Sequence, residues 1–277
     1  MTTAKQIRDE LKCIGEQNGA AQCAVLQHFF KTGKGQYGEG DLFYGVKVPQ
    51  IRALCKRSDK EISLKEILLL LKDKYHDCRM FALLWLVENM KWAVKHGDVA
   101  AMEKIVTVYR AHFDFVNNWD LVDLTAPDIE GAYLWNTFGG IKGIAGQACN
   151  DGTERVRNGA PGAGAVKVLK QYAASNHLWT QRIAIISTYY FIKNGVIEPT
   201  FIIAEKLLYH PHDLIRKAVG WMLREAGKRV SHEREVEWLL CKNRYKTMPR
   251  TSLRYAIEHF DEDLRLMFLK DTFVRNG

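Results

Sequence analysis

Apolar positions recur along the chain with the three-to-four-residue spacing of amphipathic helices, and no stretch alternates apolar and polar in strand fashion. "HDCRMFALLWLVENM" from His76 reads as the second helix of a helix pair. The pattern also repeats. "PHDLIRKAVGWMLREAGKR" from Pro211 and "PRTSLRYAIEHF" from Pro249 carry Pro, then Ile or Leu, Arg, Ala and Val or Ile at the same offsets. Their arginines, Arg216 and Arg254, stand 38 residues apart, and a third copy, "HLWTQRIAIISTYYFIKNG", places Arg182 34 residues before Arg216. A lone helix pair cannot cover its own apolar face, so repeats of this length stack and share one continuous core. The prediction is an all-α protein, an α-solenoid with a concave surface.

Periods in the thirties to forties are those of HEAT and armadillo repeats. One HEAT-like repeat domain over 1–277 is expected, since a chain of 277 residues can bury a large core. Two stretches interrupt the pattern. Residues 138–165, "FGGIKGIAGQACNDGTERVRNGAPGAGA", hold eight of the 21 glycines, and each Gly in a helix interior costs about 1 kcal/mol relative to Ala. This segment is expected to be a long inserted loop carrying Lys142, Arg155 and Arg157. The other is "KTGKGQYGEGD" at 31–41, after which Val48-Pro49 marks a helix start, because proline is tolerated in the first turn.

Composition narrows the class. Hydrophobic residues are 47%, charged residues 26% and prolines six, the profile of a folded helical protein. The start, "MTTAKQIRDELKC", lacks an apolar signal core, and the longest apolar run, "ILLLL" at 67–71, is too short for a bilayer. A cytoplasmic, monomeric protein with no membrane partner is expected. Six scattered cysteines with no Cys-x-x-Cys read as reduced thiols, and nine histidines with no His-x-x-x-His pattern give no support for a metal; no cofactor is expected. A net charge of +8 suits either a nucleic-acid partner, through release of condensed counterions, or an inert basic surface.

Candidate chemistry gathers on three helices. In "NNWDLVDLTAPDI" from Asn117, Trp119 and Asp123 are four apart and share a helical face, while Asp120 suits a helix-start charge and Pro127 should interrupt or kink the helix. Trp179 and Arg182, and Trp221 and Arg224, are three apart and again share faces. Singly, each has a plain reading: an indole in the core, or an arginine tying one repeat to the next.

Together, five ordered segments carry a resemblance: "FFKTGKGQYGEGDLFYGVKVPQIR", "NWDLVD", "LWTQRIA", "RKAVGWMLRE" and "MPRTSLRYAIEHF". From about residue 20 to 260, apart from the glycine-rich insertion, the chain resembles the DNA alkylation repair family of AlkD type, the HEAT-like 3-methyladenine and 7-methylguanine DNA glycosylases. The resemblance implies a concave basic groove for duplex DNA bearing alkylated purines, excision without base flipping, and use at the nucleoid. It implies that Trp119, Asp123, Arg182 and Trp221 occupy catalytic positions. The two indoles would pack on the deoxyribose and backbone, Asp123 would stand at the glycosidic carbon, and Arg182 would contact phosphate. Lys47, Arg52, Trp179, Arg216, Lys217 and Arg224 are candidate DNA contacts. The chain departs at Asn118, where many members carry a second tryptophan, and at the insertion.

The chemistry fits these residue types. An N3- or N7-alkylated purine already carries positive charge, so it leaves without a general acid, and one carboxylate suffices where sugar chemistry generally needs two. Two alternatives remain open: a catalytically silent HEAT-like paralogue that binds DNA, and a protein-binding scaffold.

Overall fold

A computed structural model describes residues 2–58, 62–138 and 162–273 of the chain. These residues are all-α with no strand; the only extended pairings among them are the isolated bridges Thr2 to Ile62 and Leu42 to Tyr75. They form two compact units, Met1–Ile129 and Glu130–Gly277.

In the first unit the helices are α1 (Ala4–Asn18), α2 (Ala20–Phe29), α3 (Val48–Ser58), α4 (Leu64–Leu71), α5 (His76–His96), α6 (Val99–Arg110) and α7 (Trp119–Asp123). Start signals are local. Thr3 and Gln6 form a capping box at α1, Ser63 caps α4 and Asp98 caps α6, each side chain accepting a backbone N–H that would otherwise be orphaned. The predicted start of α3 at Val48-Pro49 is observed. Helix α5 is the centre of the unit, packed against α3, α4, α6 and α7. It is buried on every side from His76 to Leu84, which explains why "CRMFALLWL" has no polar stripe, and it stops at Gly97, whose left-handed φ of 64° suits glycine. The buried carboxylate of Asp77 accepts from the backbone N–H of Tyr44 at 2.8 Å and Val46 at 2.9 Å, pinning the loop that leads into α3.

After α7 the chain passes through a π-helical turn, Pro127–Gly131, the interruption that Pro127 predicts. The second unit contains α8 (Ala132–Phe138), α9 (Ala163–Ala173), α10 (Leu178–Lys193), α11 (Glu198–Leu207), α12 (Asp213–Arg229), α13 (His232–Leu240), α14 (Arg244–Thr247), α15 (Arg250–Ala256) and α16 (Glu262–Lys270). The three repeated segments are α10, α12 and α15, and α12 packs against both of the others. Most of the expected 138–165 loop, including Lys142, Arg155 and Arg157, lies outside the described residues. Its last three residues are helical, not loop: they open α9, where Ala165 joins the apolar face.

A second repetition appears only in three dimensions. A Cβ on Gly131 would stand 2.4 Å from the Ser187 carbonyl oxygen and 2.8 Å from the Tyr190 Cβ; one on Gly220 would stand 2.3 Å from the Ser252 oxygen and 2.6 Å from the Tyr255 Cβ. Each glycine thus lets a Ser-x-x-Tyr helix approach to backbone contact. Gly220→Ala should destabilise the protein by about 1–3 kcal/mol through overpacking, despite alanine's better helix propensity. A melting curve on the purified variant checks this, and an unchanged or raised Tm contradicts it.

Candidate functional site

In the first unit, Trp119 and Asp123 are the first and last residues of α7, one turn apart and both half-buried. Asn118 caps this short helix. It is fully buried, its Oδ1 accepts from the Trp119 N–H at 2.8 Å, and its Nδ2 has no hydrogen-bond partner. The indole of Trp119 is held on one side by Phe30, stacked at 5.3 Å, and edge-on by Phe29 at 5.6 Å. Phe29 is 56% exposed, so the aromatic cluster reaches the surface beside Trp119. The support that a neighbouring tryptophan would give comes here from two phenylalanines at the end of α2.

Asp120 is the helix-start charge that the sequence suggests, in the first turn of α7, and its Oδ1 accepts from the Leu121 N–H at 2.8 Å. Yet it is only 5% exposed, and its Oδ2 meets Nε2 of the buried His76 at 2.9 Å. His76 Nδ1 faces Asp41 Oδ2 at 3.4 Å, and Arg79 donates to Asp41 Oδ1 at 2.7 Å. A carboxylate at each ring nitrogen calls for two N–H donors, hence an imidazolium. Burial by itself disfavours that charge, but Asp120 and then Asp41 outweigh it and push the His76 pKa up to about 9. Burial likewise works against Asp41, but His76 and Arg79 hold its carboxyl below the ordinary range. Four ionisable groups therefore anchor α7 to the start of α5, and the ring of His76 also stacks on Phe43 and Phe30 at 4.5 and 5.2 Å. Lys47 is exposed just before α3, and Arg52 is half-buried on it.

In the second unit, Arg182 and Trp179 lie on α10, and Arg216, Lys217, Trp221 and Arg224 on α12. Trp179 is 6% exposed and sits in the core. Arg182 is also buried, and its guanidinium donates to the Leu214 carbonyl, the repeat-to-repeat tie of the plain reading. Arg216 makes a local bond instead, its Nε donating at 2.8 Å to the carbonyl of His210, just ahead of its own helix. Lys217 pairs with Asp213 at 2.7 Å on the surface, where such a pair contributes little.

Trp221 is half-buried, donates from Nε1 to Glu225 at 3.2 Å, and lies 6.3 Å from the ring of Tyr189. Tyr189 in turn carries Lys193 at 5.5 Å and Arg229 at 5.3 Å over its face, within cation–π range. Arg224 is engaged by Glu225 and Glu258. Burial opposes the charge of Glu225, but Arg229 and then Arg224 hold its carboxyl below the ordinary range. The wall around Trp221 is thus aromatic and cationic, with its acids neutralised. Sequence reasoning passed over Tyr189, Phe29 and the His76 network; "FF" and "YY" were visible, but nothing in their spacing marked them.

Among the described residues one group could hold a metal ion: His232, Glu235 and His259. Glu235 is fully buried, and burial pushes its pKa up to about 9 although Arg224 pulls the other way.

Repeated helix pairs and aromatic, cation-bearing helix faces define an all-α helical-repeat protein of the kind that the repeats predicted. The chain belongs to the DNA alkylation repair enzyme family, whose sequence profile matches residues 7–141 and 147–260. DNA is the partner that this family implies. The fold is similar to the solved structure of a "Predicted DNA alkylation repair enzyme from Enterococcus faecalis", with a TM-score of 0.59 over 88% of this chain and 97% of that one, at 14% identity. No curated protein sequence matches the chain. No helix among the described residues is long and apolar enough to cross a membrane.

Proposed function

We propose that the protein is a DNA glycosylase that hydrolyses the N-glycosidic bond of cationic N3- or N7-alkylated purines in duplex DNA, without base flipping, as the first step of base excision repair. The observation that carries this reading is the division between the two carboxylates of α7. Asp120 is buried and committed to His76, whereas Asp123 stays half-exposed on the turn that presents Trp119. Asp123 then stabilises the oxocarbenium-like sugar and orients water. The bond from C1′ to the purine nitrogen breaks and its electrons discharge the lesion's positive charge; a C1′–O bond forms, and the proton of the water passes to the carboxylate. Trp119 and Trp221 pack on the lesion's deoxyribose and backbone, and an indole face attracts the cationic lesion at about 0.5–2 kcal/mol per contact.

Arg182 contacts a phosphate of the lesion strand in this reading, beside the bond that its guanidinium donates to Leu214. Lys47, Arg52, Arg216, Lys217 and Arg224 contact phosphates, which positions the protein without reading sequence. Trp179, being in the core, supports α10 instead of touching DNA. The protein acts as a monomer and needs no cofactor.

Incubation with methylated duplex DNA should release methylated purine and leave abasic sites. Affinity for the same duplex should fall steeply with salt, with a log–log slope approaching minus the number of phosphate contacts. DNA binding with that slope but no purine release would mark a silent DNA-binding relative; no salt-sensitive binding at all would mark a protein scaffold.

A further inference from the structure

The cluster at His232, Glu235 and His259 lies outside everything the glycosylase reading uses. His232 and Glu235 are three residues apart on the first turn of α13, so they share a face; His259 ends the 3-10 turn Ile257–His259 that follows α15. One donor atom from each of the three lies within 4.8 Å of the others. No spacing in the sequence reveals this, because His259 comes from a different repeat, and a His-x-x-Glu pair alone is common.

Three features mark the group as more than a packed cluster. First, Glu235 has no exposure, yet neither carboxylate oxygen has a hydrogen-bond partner. Buried carboxylates are ordinarily paired, hydrogen-bonded or bound to metal. Arg224, the cation whose charge acts on Glu235, is committed to Glu258 and Glu225. Second, His259 Nδ1 faces the Ala256 carbonyl at 3.3 Å, which fixes the N–H there and leaves a lone pair on Nε2. That Nε2 is buried, stands 3.3 Å from Glu235 Oε2, and makes no hydrogen bond. A backbone carbonyl on the far nitrogen is the arrangement that orients metal-ligating histidines. Third, a Cβ on Gly227 would fall 1.7 Å from Glu235 Oε2, so α12 leaves space for this carboxylate by carrying glycine in its last turn.

We propose that His232, Glu235 and His259 form a binding site for a zinc-class divalent cation, with three protein ligands and a fourth position for water, that ties α13 to the Ile257–His259 turn. Two imidazoles and one carboxylate are a zinc donor set, and imidazole ligands disfavour calcium and magnesium. Drawing the three donor atoms from 4.8 Å onto one ion needs only small side-chain rotations, since zinc–ligand distances are about 2.0–2.2 Å.

The test uses the full chain stripped with a chelator and titrated with zinc chloride, and separately with cobalt chloride. The expected result is uptake of one ion per chain, tetrahedral visible absorption of the cobalt form, and a Tm raised by roughly 5–10 °C at a free-zinc excess of about 100 times Kd. His232→Ala and His259→Ala should each abolish the uptake and the Tm shift. Glu235→Gln, which keeps the shape against Gly227, should weaken binding by about 100-fold or more. His232 is half-buried, so its variant keeps the fold if the larger substitutions do not. Failure of the stripped wild-type chain to take up zinc stoichiometrically overturns the proposal, as does uptake that survives in both histidine variants.

Discussion

Under the proposed chemistry, Asp123→Asn slows release of 7-methylguanine from duplex DNA by roughly two to three orders of magnitude, the 2.7–4 kcal/mol that loss of one preorganised charge-stabilising group costs. The amide keeps the shape of the side chain and removes the negative charge. It cannot stabilise the developing positive charge on the sugar, nor accept a proton from water. Because that charge is absent from the bound ground state, the loss should fall on the single-turnover rate and leave the Kd for lesion-bearing duplex nearly unchanged. Wild-type rates in this variant would remove Asp123 from the mechanism; an equal loss in rate and affinity would make it a binding residue.

The second large effect concerns its neighbour. Asp120→Ala strips His76 Nε2 of its 2.9 Å partner and leaves a buried imidazolium facing only Asp41. Breaking a buried ion pair from one side costs about 3–5 kcal/mol, which for a chain of this size corresponds to a Tm loss of roughly 10–15 °C. The pH dependence tests the cause. The folded pKa of His76 lies above its ordinary 6.5, at about 9, so folding binds a proton. That contribution, on the order of 3 kcal/mol, is fully present below the unfolded pKa and is lost as pH rises through the folded one. Wild-type stability should therefore fall between about pH 6.5 and 9. Glu235, whose pKa is also raised, adds a decline of its own, but it is common to both proteins. The difference between wild type and Asp120→Ala should shrink across that window; a constant difference from pH 6 to 9 would show that the loss is one of packing alone.

These two carboxylates show what the sequence reveals and what it hides. Helical spacing separates Asp123 from Asp120, because i and i+4 on one turn is a local fact. It did not reveal the partner of Asp120, because His76, and the Asp41 that faces its other ring nitrogen, come from α5 and the glycine-containing loop, far away in sequence. The same division runs through the fold. Arg216 and Arg254 disclosed the repeat because each copy carries the same residues at the same offsets, and Pro127 disclosed the break after α7 because its ring removes a backbone donor. Nothing local marks Gly131 and Gly220, since their purpose lies in the Ser-x-x-Tyr backbone opposite each of them. Trp179 and Trp221, indistinguishable by spacing, ended in different places: one filled the core of α10, the other stands half-buried beside Tyr189. One cationic partner of Tyr189, Arg229, was likewise out of reach, since it belongs to the next repeat.

The central claim is that excision depends on a leaving group that is already positively charged. Single-turnover excision from otherwise identical duplexes carrying 7-methylguanine, 3-methyladenine or the neutral base hypoxanthine tests it directly. The account predicts release of both methylated purines and no detectable release of hypoxanthine. Release of hypoxanthine at a comparable rate would contradict it, because a neutral purine needs a general acid that this account does not contain.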